Sequence, residues 1–423
     1  MNTVIKGLLS FLQASPTPFQ AVAQGIYRLQ EAGFLPLEER QSWKQKPGQG
    51  YFVVRGGGSL IAWRQGKTPG FSVVGCHSDS PGLKLKPLPD LHREGCHSLG
   101  VEVYGGPLLA SWFDRELSLA GRVLLATPQG VQEWLLDLQR PLAVIPNLAI
   151  HLNREANKGW EINKQTELPP LVQLLAPEAK PSFLGMLLEL AKKEFPQATE
   201  ILGQDLFFYP CTPPGLAGWN QELILGYRLD NLLSCYAGLQ ALLGARVTTA
   251  KTQVLVWNDH EEVGSTSSQG ADGPFLQMTL ERMAGGRAAY AQALADSLML
   301  SLDNAHGVHP NHAAKHEPNH LPRLNGGIVI KHNASQRYAT DGATAAQVAQ
   351  LAQKNKLQLQ QFVVRSDLAC GSTIGPLTAS QTGMPVVDLG LAQLAMHSAR
   401  ECAGAGDFKD LVKLVTAFYQ APL

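Results

Sequence analysis

Short apolar segments followed by histidine or carboxylate side chains are the feature of this chain that most limits its possible folds. The segments and the polar residues beyond them are 71–74 with His77 and Asp79, 254–257 with Glu261 and Glu262, 299–302 with Asp303 and His306, and 385–387 with His397. Each segment has the length and apolar character of a buried strand. In open α/β sheets the carboxyl ends of the strands line a common crevice. We therefore expect these polar side chains to converge at one edge of a sheet.

The second half of the chain alternates helical and strand patterns. Helices are predicted over 229–243, 274–284 and 287–296, and strands over 253–257, 299–302, 327–330, 360–364 and 385–387. This alternation favours a largely parallel or mixed sheet covered by helices. The sequence therefore predicts an α/β fold for this half.

The first half of the chain has a different hydrophobic pattern. Residues 15–42 are predicted to be helical, and 51–54, 59–63 and 71–74 to be strands. From about 85 to 220, glycine and proline separate short apolar runs at 100–104, 122–126 and 133–136, with a helical pattern over 180–194. Such punctuation is typical of a β-rich unit with turns. We predict an α/β domain of residues 1–85 and 222–423, interrupted by an inserted β-rich domain of residues 86–221.

The composition argues against several classes of protein. Apolar residues make up 44% of the 423 residues and charged residues only 17%, so disorder is excluded for most of the chain. The 35 basic and 35 acidic residues cancel, which argues against a nucleic-acid partner that binds a broad basic surface. No apolar run approaches the length that crosses a bilayer, so no membrane partner is expected. Six cysteines without a CxxC pair are typical of free thiols in a reducing compartment, and we expect a cytoplasmic protein.

The polar residues beyond the strands offer imidazole and carboxylate ligands, which suit zinc, manganese or cobalt. Two histidines and three carboxylates can hold two ions if one carboxylate bridges, and paired ions of this kind serve hydrolysis. Glu261 and Glu262 would point to opposite faces of a strand, so the chain must bend for both to share a site. One could then bind metal while the other acts as general base. Asp79 is well placed in sequence to accept the second N–H of His77.

Each of these residues also has a purely structural interpretation. A Glu–Glu pair is commonly part of a solvated loop, and single aspartates such as Asp230 and Asp303 commonly cap helices or form ion pairs. The histidine-rich stretch 306–320 could be a polar loop. Dinucleotide, P-loop and serine-hydrolase motifs do not occur with the context they need. The coincidence of ligand-type residues after several strands favours a dinuclear hydrolase.

A colinear series of motifs resembles the aspartyl aminopeptidases. The motifs include Gly75-Cys-His-Ser-Asp79, Trp112-Phe-Asp-Arg-Glu-Leu, Asp259-His-Glu-Glu-Val-Gly-Ser265, Asp303-Asn-Ala-His-Gly-Val-His and Cys370-Gly-Ser-Thr-Ile-Gly-Pro. The series runs from Ser15 to Glu401, nearly the whole chain, and is far more specific than any one motif.

The resemblance implies a zinc-exopeptidase-like α/β domain with an inserted β-rich dimerisation domain. It also implies a co-catalytic aminopeptidase that removes N-terminal aspartate or glutamate and holds two divalent ions per subunit, zinc first, with manganese or cobalt as alternatives. The implied roles are His77 and Asp303 on one ion, Glu262 and His397 on the other, Asp230 as the bridge, Glu261 as general base and Asp79 as the carboxylate that orients His77.

The resemblance further implies how an acidic substrate is bound. A buried carboxylate needs a cation or several donors, because leaving it unpaired costs free energy. Lys331 would supply the cation, with Tyr338 and His306 as further donors, and His151 would reach the site of a neighbouring subunit. The implied assembly is a homo-dodecamer built from dimers. Two alternatives stay open: a dinuclear aminopeptidase with another first-residue preference, and an inactive shell or cargo-binding protein of the same fold.

Overall fold

Apolar segments that are distant in the sequence pair with one another as buried strands. The structure, a computed structural model, describes residues 3–246 and 250–421. The chain divides into two compact units. The first comprises the residues up to Ser80, Pro214–Met396 and the residues from Glu401 onward, and the second comprises Pro81–Pro213 and His397–Arg400. The bounds 86–221 of an inserted domain, and its role in dimerisation, stay predictions.

The helices and strands of the described residues follow the hydrophobic patterns in most places. The nine α-helices in this part of the chain are α1 (Thr3–Gln13), α2 (Pro18–Glu31), α3 (Phe183–Ala191), α4 (Leu229–Gly244), α5 (Phe275–Ala284), α6 (Arg287–Ala295), α7 (Gly342–Lys354), α8 (Ile374–Thr382) and α9 (Ala405–Gln420). Short 3₁₀ helices lie at Leu109–Trp112, Glu261–Val263 and Ala313–Lys315. No helix among the described residues is both long and apolar enough to cross a membrane.

The strands of the described residues number twenty. They are β1 (Leu35–Pro36), β2 (Gly50–Arg55), β3 (Ser59–Arg64), β4 (Phe71–His77), β5 (Gly82–Arg93), β6 (Cys96–Tyr104), β7 (Leu117–Thr127), β8 (Gly130–Asp137), β9 (Leu171–Leu174), β10 (Glu200–Pro210), β11 (Gly215–Ala217), β12 (Leu223–Gly226), β13 (Thr252–Asn258), β14 (Leu298–Leu302), β15 (Ala305–His306), β16 (Ile328–His332), β17 (Leu359–Val363), β18 (Val386–Gly390), β19 (Ala392–Leu394) and β20 (Glu401–Gly404). The predicted strands are thereby confirmed, and α3 to α6 confirm the four predicted helices that they cover.

One secondary-structure prediction is wrong in its extent. The helix expected over 15–42 is α2, which ends at Glu31, and the chain then forms the two-residue strand β1. Gly33 takes a left-handed conformation with φ of 78°, a value that glycine tolerates well and that ends the helix. Pro36 cannot donate a backbone hydrogen bond, so it also opposes continuation of the helix.

The first unit contains a nine-stranded mixed sheet in the order β1-β2-β3-β13-β4-β14-β18-β16-β17. Its central strands β13, β4, β14 and β18 are mutually parallel neighbours. Every residue of these four strands is buried. Continuous burial is typical of strands covered on both faces by helices. The carboxyl ends of four neighbouring strands therefore lie side by side.

Alternate residues of the central strands enter two separate cores. Val74 and Leu255 belong to a cluster that includes apolar residues of α1, α2, α4 and α9. Val73 and Val254 belong to a second cluster, with residues of α5, α6 and α8. This period of two is the expected side-chain alternation of a strand. The sheet is thus held between two helical layers, which fixes the positions of its strand ends.

Two further sheets complete the units. A five-stranded sheet in the first unit has the order β11-β12-β20-β19-β15. The second unit contains a six-stranded antiparallel sheet in the order β8-β7-β10-β5-β6-β9, together with α3. The β-rich character predicted for the middle of the chain is therefore observed.

A close backbone approach near the carboxyl edge of the nine-stranded sheet requires glycine. A Cβ atom added at Gly390, the last residue of β18, would lie 1.9 Å from the carbonyl oxygen of Asp303. The amide of Asp303 donates to the carbonyl oxygen of Leu389 at 2.9 Å, so the two segments are fixed in register here. No side chain that could rotate away is involved, and relief would require backbone movement.

We expect Gly390→Ala to lower the free energy of unfolding by about 1–3 kcal/mol, the usual cost of overpacking. Gly342→Ala at the start of α7 is the matched control, because its added Cβ meets nothing within 4 Å. Alanine is also the better helix former, so the control should be neutral or slightly stabilising. Denaturant unfolding followed by circular dichroism measures both. Equal unfolding midpoints for the two variants would contradict this account.

Candidate active site

Several of the polar residues that follow the central strands lie close together. His77 ends β4, Asp303 directly follows β14, and Glu261 follows β13 after a short turn. The Nε2 atom of His77 lies 3.7 Å from Oδ1 of Asp303 and 4.0 Å from Oε2 of Glu261. Side chains that are distant from His77 in the sequence thus lie beside its buried imidazole.

Two further carboxylates complete this cluster. Oδ1 of Asp230 lies 3.5 Å from Nε2 of His77. His77, Asp230 and Glu262 each offer one ligand atom, and these three atoms lie within 4.8 Å of one another. The structure therefore gathers His77, Asp230, Glu261, Glu262 and Asp303 around the carboxyl edge of the sheet.

Asp230 is placed by two amide side chains that join α4 to the end of β14. Helical geometry is interrupted at Asp230 and Asn231, in the first turn of α4. Nδ2 of Asn231 donates to the carbonyl oxygen of Leu302 at 2.7 Å. In the other direction, Nδ2 of Asn304 donates to the carbonyl oxygen of Leu229 at 3.0 Å. Asp230 begins a helix, so a search of strand ends misses it, and only the family resemblance indicates it.

A buried arginine that the sequence analysis did not select supports the same segment. Arg228 donates to the carbonyl oxygens of Ser15 and Ser78, and its Nε lies 3.3 Å from Oγ of Ser80. Oγ of Ser80 in turn donates to the carbonyl oxygen of Asp230 at 2.6 Å. The loop beyond β4 and the start of α4 are thereby held together. The only sequence signal is that Arg228 lies two residues before Asp230.

Asp79 joins the imidazole to the glutamate pair. Its Oδ1 accepts the backbone N–H of Glu261 at 3.1 Å and its Oδ2 accepts that of Glu262 at 3.0 Å. Nδ1 of His77 lies 3.4 Å from Oδ1 of Asp79 and 3.1 Å from its carbonyl oxygen. The contact to His77 was predicted, whereas the two backbone contacts to the glutamates were not. Asp79 is fully buried and acts on three of the site residues at once.

The two glutamates reach one site because the chain bends, as predicted. Glu261–Val263 is a single 3₁₀ turn. It is bounded by residues in the left-handed conformation, His260 with φ of 63° and Gly264 with φ of 97°. A turn replaces the alternation of a strand, so neighbouring side chains need not point to opposite faces.

The glutamates are buried among other carboxylates, and their pKa values respond. Burial raises the pKa of Glu261 to about 8, against the opposing effect of His77. Burial also raises the pKa of Glu262 well above its usual range, and the nearby Asp230 adds to this shift. In both cases burial among neighbouring carboxylates disfavours the charged form of the glutamate.

The pKa values of His77 and Asp303 shift in the direction that favours their charged forms. Burial would lower the pKa of His77, but the negative charges of Glu261, Asp230 and Asp303 around it hold that pKa well above its usual range. Burial would raise the pKa of Asp303, but Lys331 and His77 outweigh it and lower that pKa. The positive charges of His77 and Lys331 therefore offset part of the negative charge of the carboxylates around them.

Lys331, Tyr338 and His306 lie in the same region. Lys331 is buried on β16, and its Nζ is 3.2 Å from Oδ2 of Asp303 and 4.9 Å from the centre of the Tyr338 ring. Tyr338 and His306 line a cavity of about 250 Å³. Other residues that line this cavity are Lys315, His316, Phe362 and Arg365.

Asp388 on β18, which the sequence analysis did not select, fixes the chain beside Tyr338. Its carboxylate accepts from Oγ of Ser301 at 2.6 Å, from Oγ1 of Thr373 at 2.7 Å and from the backbone N–H of Ala339 at 2.6 Å. A buried carboxylate with three donors is well satisfied. It thereby joins β18 to β14, to the start of α8 and to the chain beside Tyr338.

Two predicted site residues belong to the second unit. His397 lies in the segment His397–Arg400, and its Nδ1 is 3.0 Å from the carbonyl oxygen of Gly106 in that unit. His151 is exposed, in a turn of the same unit. The metal role of His397 and the substrate role of His151 stay predictions.

The donor set fits a divalent metal ion. Ligand atoms bound about 2.0–2.2 Å from a tetrahedral zinc ion lie about 3.4 Å from one another. The separations of 3.5 Å between His77 and Asp230 and 3.7 Å between His77 and Asp303 are close to this value. A divalent cation would also offset the negative charge that raises the glutamate pKa values. Imidazole and carboxylate ligands at the edge of an α/β sheet are typical of metal-dependent hydrolases.

Comparison with known proteins identifies the family. The model of the family described as aminopeptidase I zinc metalloprotease (M18) matches residues 11–419. A probable M18 family aminopeptidase 2 of Pseudomonas entomophila (strain L48) is 53% identical over 420 residues, which cover 98% of this chain and 97% of the relative. The chain belongs to the M18 family and is therefore a metal-dependent aminopeptidase. The recognition made from the sequence motifs is confirmed at this level.

Solved structures agree with this assignment. A chain in the cryo-EM structure of the Ape4 and Nbr1 complex superposes with a TM-score of 0.94 at 37% identity, covering 99% of this chain and 85% of that one. A chain in the S. cerevisiae mApe1 dodecamer gives a TM-score of 0.84 at 28% identity, covering 99% of this chain and 96% of that one. The predicted zinc-exopeptidase-like α/β fold is confirmed.

Asp79→Asn should weaken zinc binding without preventing folding. The amide keeps one acceptor oxygen but presents an NH₂ group to a backbone N–H of the glutamate turn, so His77 and the glutamates lose their common support. Losing an outer partner of this kind typically costs about 10–100-fold in metal affinity. Zinc titration of the chelator-treated protein measures the change. Asp205→Asn, which alters a carboxylate paired with Lys84 and Arg122, is the control. An unchanged zinc affinity in Asp79→Asn would contradict the assigned role.

Proposed function

We propose that this aminopeptidase removes N-terminal aspartate and glutamate from peptides. The observation that carries the proposal is the buried ammonium of Lys331, which lies between the carboxylate cluster and the residues that line the cavity. A fully buried lysine is uncommon unless it is paired. Its position next to Tyr338 would allow it to meet a negatively charged substrate side chain.

The contacts of Lys331 leave it capable of a second ionic contact. An ammonium has three donors. Its Nζ is 3.2 Å from Oδ2 of Asp303 and 3.3 Å from the carbonyl oxygen of Asn304. One of these contacts is to a neutral carbonyl, and one is to a carboxylate that a metal ion would share. A substrate carboxylate could then supply the charge that Lys331 needs.

The lining of the cavity supports an acidic occupant. His306 and Tyr338 bring an imidazole and a phenol, and Lys315 and Arg365 bring positive charge. No carboxylate is among the described residues that line it. Arg365 is partly satisfied by Asp367 at 2.6 Å, so its attraction for a substrate is weaker than its formal charge suggests. The cavity thus favours an anionic side chain over a cationic one.

We infer that two divalent ions are bound per subunit, with zinc as the family's metal. His77 and Asp303 would hold one ion, Glu262 and His397 the other, and Asp230 would bridge them. A pair of such ions activates water and polarises the scissile carbonyl when bound. The protein contributes the fixed geometry of the ligands, which is set by Asp79 and by the amide contacts of Asn231 and Asn304.

Glu261 is the proposed general base. Its carboxylate lies at the edge of the ligand cluster, 4.0 Å from Nε2 of His77. Burial raises its pKa toward neutrality, which suits a group that takes a proton and returns it. In the proposed reaction Glu261 accepts a proton from the attacking water at Oε and then delivers it to the leaving amine. Asp79 holds the backbone N–H of Glu261, so the carboxylate starts from a fixed position.

Glu261→Gln should lower kcat by about 10²- to 10⁴-fold, the usual contribution of a general base, while zinc content stays unchanged. Glu262→Gln is the matched variant, since it changes the adjacent residue in the same way but should lose zinc as well as activity. Hydrolysis of aspartyl anilide and metal analysis of both purified proteins measure the difference. A Glu261→Gln protein that turns over at the wild-type rate would refute the assignment of the base.

Lys331→Met should reduce kcat/KM for aspartyl anilide about tenfold to a hundredfold more than for leucyl anilide. The methionine keeps an apolar stem but removes an ionic hydrogen bond worth about 1.5–3 kcal/mol. Side-by-side kinetics with both substrates measure this selectivity, and Lys413→Met, which changes an exposed lysine paired with Asp410 on α9, is the control. An equal loss of kcat/KM on both substrates would mean that Lys331 interacts with Asp303 but does not contact the substrate side chain. A wild-type preference for leucine would overturn the proposed acidic specificity.

We also propose a homo-oligomer, a dodecamer built from dimers, in the cytoplasm. The similarity to the mApe1 dodecamer supports the assembly. In the second unit, Leu148, Ile150 and Leu152 are exposed on both sides of His151, and such apolar clusters commonly mark interfaces. An interface there would bring His151 toward a neighbouring subunit. All six cysteines are free, which is consistent with a reducing compartment.

A further inference from the structure

The first turn of α4 needs a hydrogen-bond acceptor that the helix itself does not provide. The first N–H groups of a helix have no partner within it, and a side chain at the N-cap position usually accepts one of them. Here the N-cap residue is Arg228, whose side chain makes no capping hydrogen bond. A guanidinium carries donors only, so it cannot act as the acceptor. An acceptor for these N–H groups therefore has to come from another part of the chain.

Glu401, the first residue of β20, supplies such an acceptor. Its Oε2 atom accepts the backbone N–H of Asp230 at 3.1 Å, and its side chain is buried. The antiparallel pairing of β20 with β12 places Glu401 opposite Gly226, where β12 ends and the chain turns into α4. A negative charge is also favourable at the positive end of a helix. Strand pairing thus brings a carboxylate to the start of α4.

The backbone of Asp230 is also held at its carbonyl group. Its φ and ψ values are not helical, and its carbonyl oxygen accepts a hydrogen bond from Oγ of Ser80 at 2.6 Å. Side chains from two distant segments, Glu401 and Ser80, therefore bind both polar groups of this backbone. The two hydrogen bonds determine the point from which the carboxylate of Asp230 extends. That carboxylate, His77 and Glu262 each offer a ligand atom, and these atoms lie within 4.8 Å of one another.

We propose that Glu401 is a positioning residue, which fixes the proposed metal ligand Asp230 through its backbone N–H. The inference rests on the proposed role of Asp230 in metal binding. In the parts of the chain that the structure describes, the side chains grouped closely enough to share a metal ion include Asp230 but not Glu401. Glu401 thus acts on the ligand and not on the ion. Outer partners that orient a ligand commonly affect metal affinity.

A purely structural role is the competing explanation. On that view Glu401 caps α4 and stabilises the fold, but the position of the Asp230 carboxylate does not depend on it. Substitutions at Glu401 would then lower the melting temperature and leave the zinc affinity of the folded protein unchanged. Zinc affinity is therefore the measurement that separates positioning from stabilisation.

Two substitutions separate the length of the side chain from its charge. Glu401→Gln keeps the length and an acceptor oxygen, whereas Glu401→Asp keeps the charge but is one methylene too short to reach the N–H of Asp230. After removal of metal with a chelator, Glu401→Asp should bind zinc about 10- to 100-fold more weakly than the wild type, and Glu401→Gln should bind it nearly as tightly. Titration of the folded proteins against a chromogenic zinc chelator measures both affinities.

Two further variants serve as references. Asp407→Asn alters another buried carboxylate that accepts backbone N–H groups, those of Asn325 and Gly327, and it should leave zinc affinity unchanged. Asp230→Asn alters the ligand itself and should weaken zinc binding at least as much as Glu401→Asp. Unchanged zinc binding in Asp230→Asn would refute the ligand role of Asp230, which belongs to the proposed function. With that role intact, the Glu401 variants test the positioning alone.

Wild-type zinc affinity in a folded Glu401→Asp protein would overturn the inference. Equal losses in Glu401→Asp and Glu401→Gln would also overturn it, because Glu401 would then act by its charge or as a ligand. If Glu401→Asp does not fold, Glu401→Met takes its place. Methionine fills nearly the same space without an acceptor oxygen, so the same loss of zinc affinity is expected, and unchanged affinity would again contradict the positioning role.

Discussion

The structure of the candidate active site depends on the burial of several carboxylates around one imidazole. Asp79, Asp230, Glu262 and Asp303 lie close to His77 in a region from which water is largely excluded. Like charges in such a place repel strongly, and burying them without compensation is costly. Burial of their charged forms is unfavourable for the same reason, and it raises the pKa values of Glu261 and Glu262. A fold that retains this arrangement needs external positive charge, and the metal of the M18 family meets the need.

Uncharged hydrogen-bond donors hold the segments that carry the proposed metal ligands. Backbone N–H groups bond Asp79, and the amides of Asn231 and Asn304 join the start of α4 to the end of β14. Neutral donors position a carboxylate without the full charge of an ion pair, so they do not compete strongly with a metal ion. Arg228, a buried cation nearby, donates to the carbonyl oxygens of Ser15 and Ser78 and to Oγ of Ser80, and so supports the backbone around Asp230.

The sequence predicted the part of the site that depends on strand ends, and the reason is topological. Parallel neighbours end at the same edge, so His77, Glu261 and Asp303 could be brought together from hydrophobic patterns alone. Asp230 could not be found in this way, because its position follows from an interruption at the start of α4 and from amide contacts across the fold. The helix predicted over 15–42 is too long, because Gly33 and Pro36 end α2 and the chain continues into β1. Strand pairing between distant segments leaves a pattern in the sequence, whereas hydrogen bonds between specific side chains do not.

Lys331 connects the two halves of the proposed function. Its ammonium pairs with Asp303 and lies over the ring of Tyr338, so the same charge belongs to the ligand cluster and to the boundary of the cavity. A cation bound by Asp303 would share the negative charge of that carboxylate with Lys331. The ion pair between Asp303 and Lys331 would then be weaker. The ammonium would then be more available to a substrate carboxylate. On this reasoning, the proposed selectivity for an acidic first residue would be greatest when a metal ion occupies the carboxylate cluster, because both depend on the charge of Asp303.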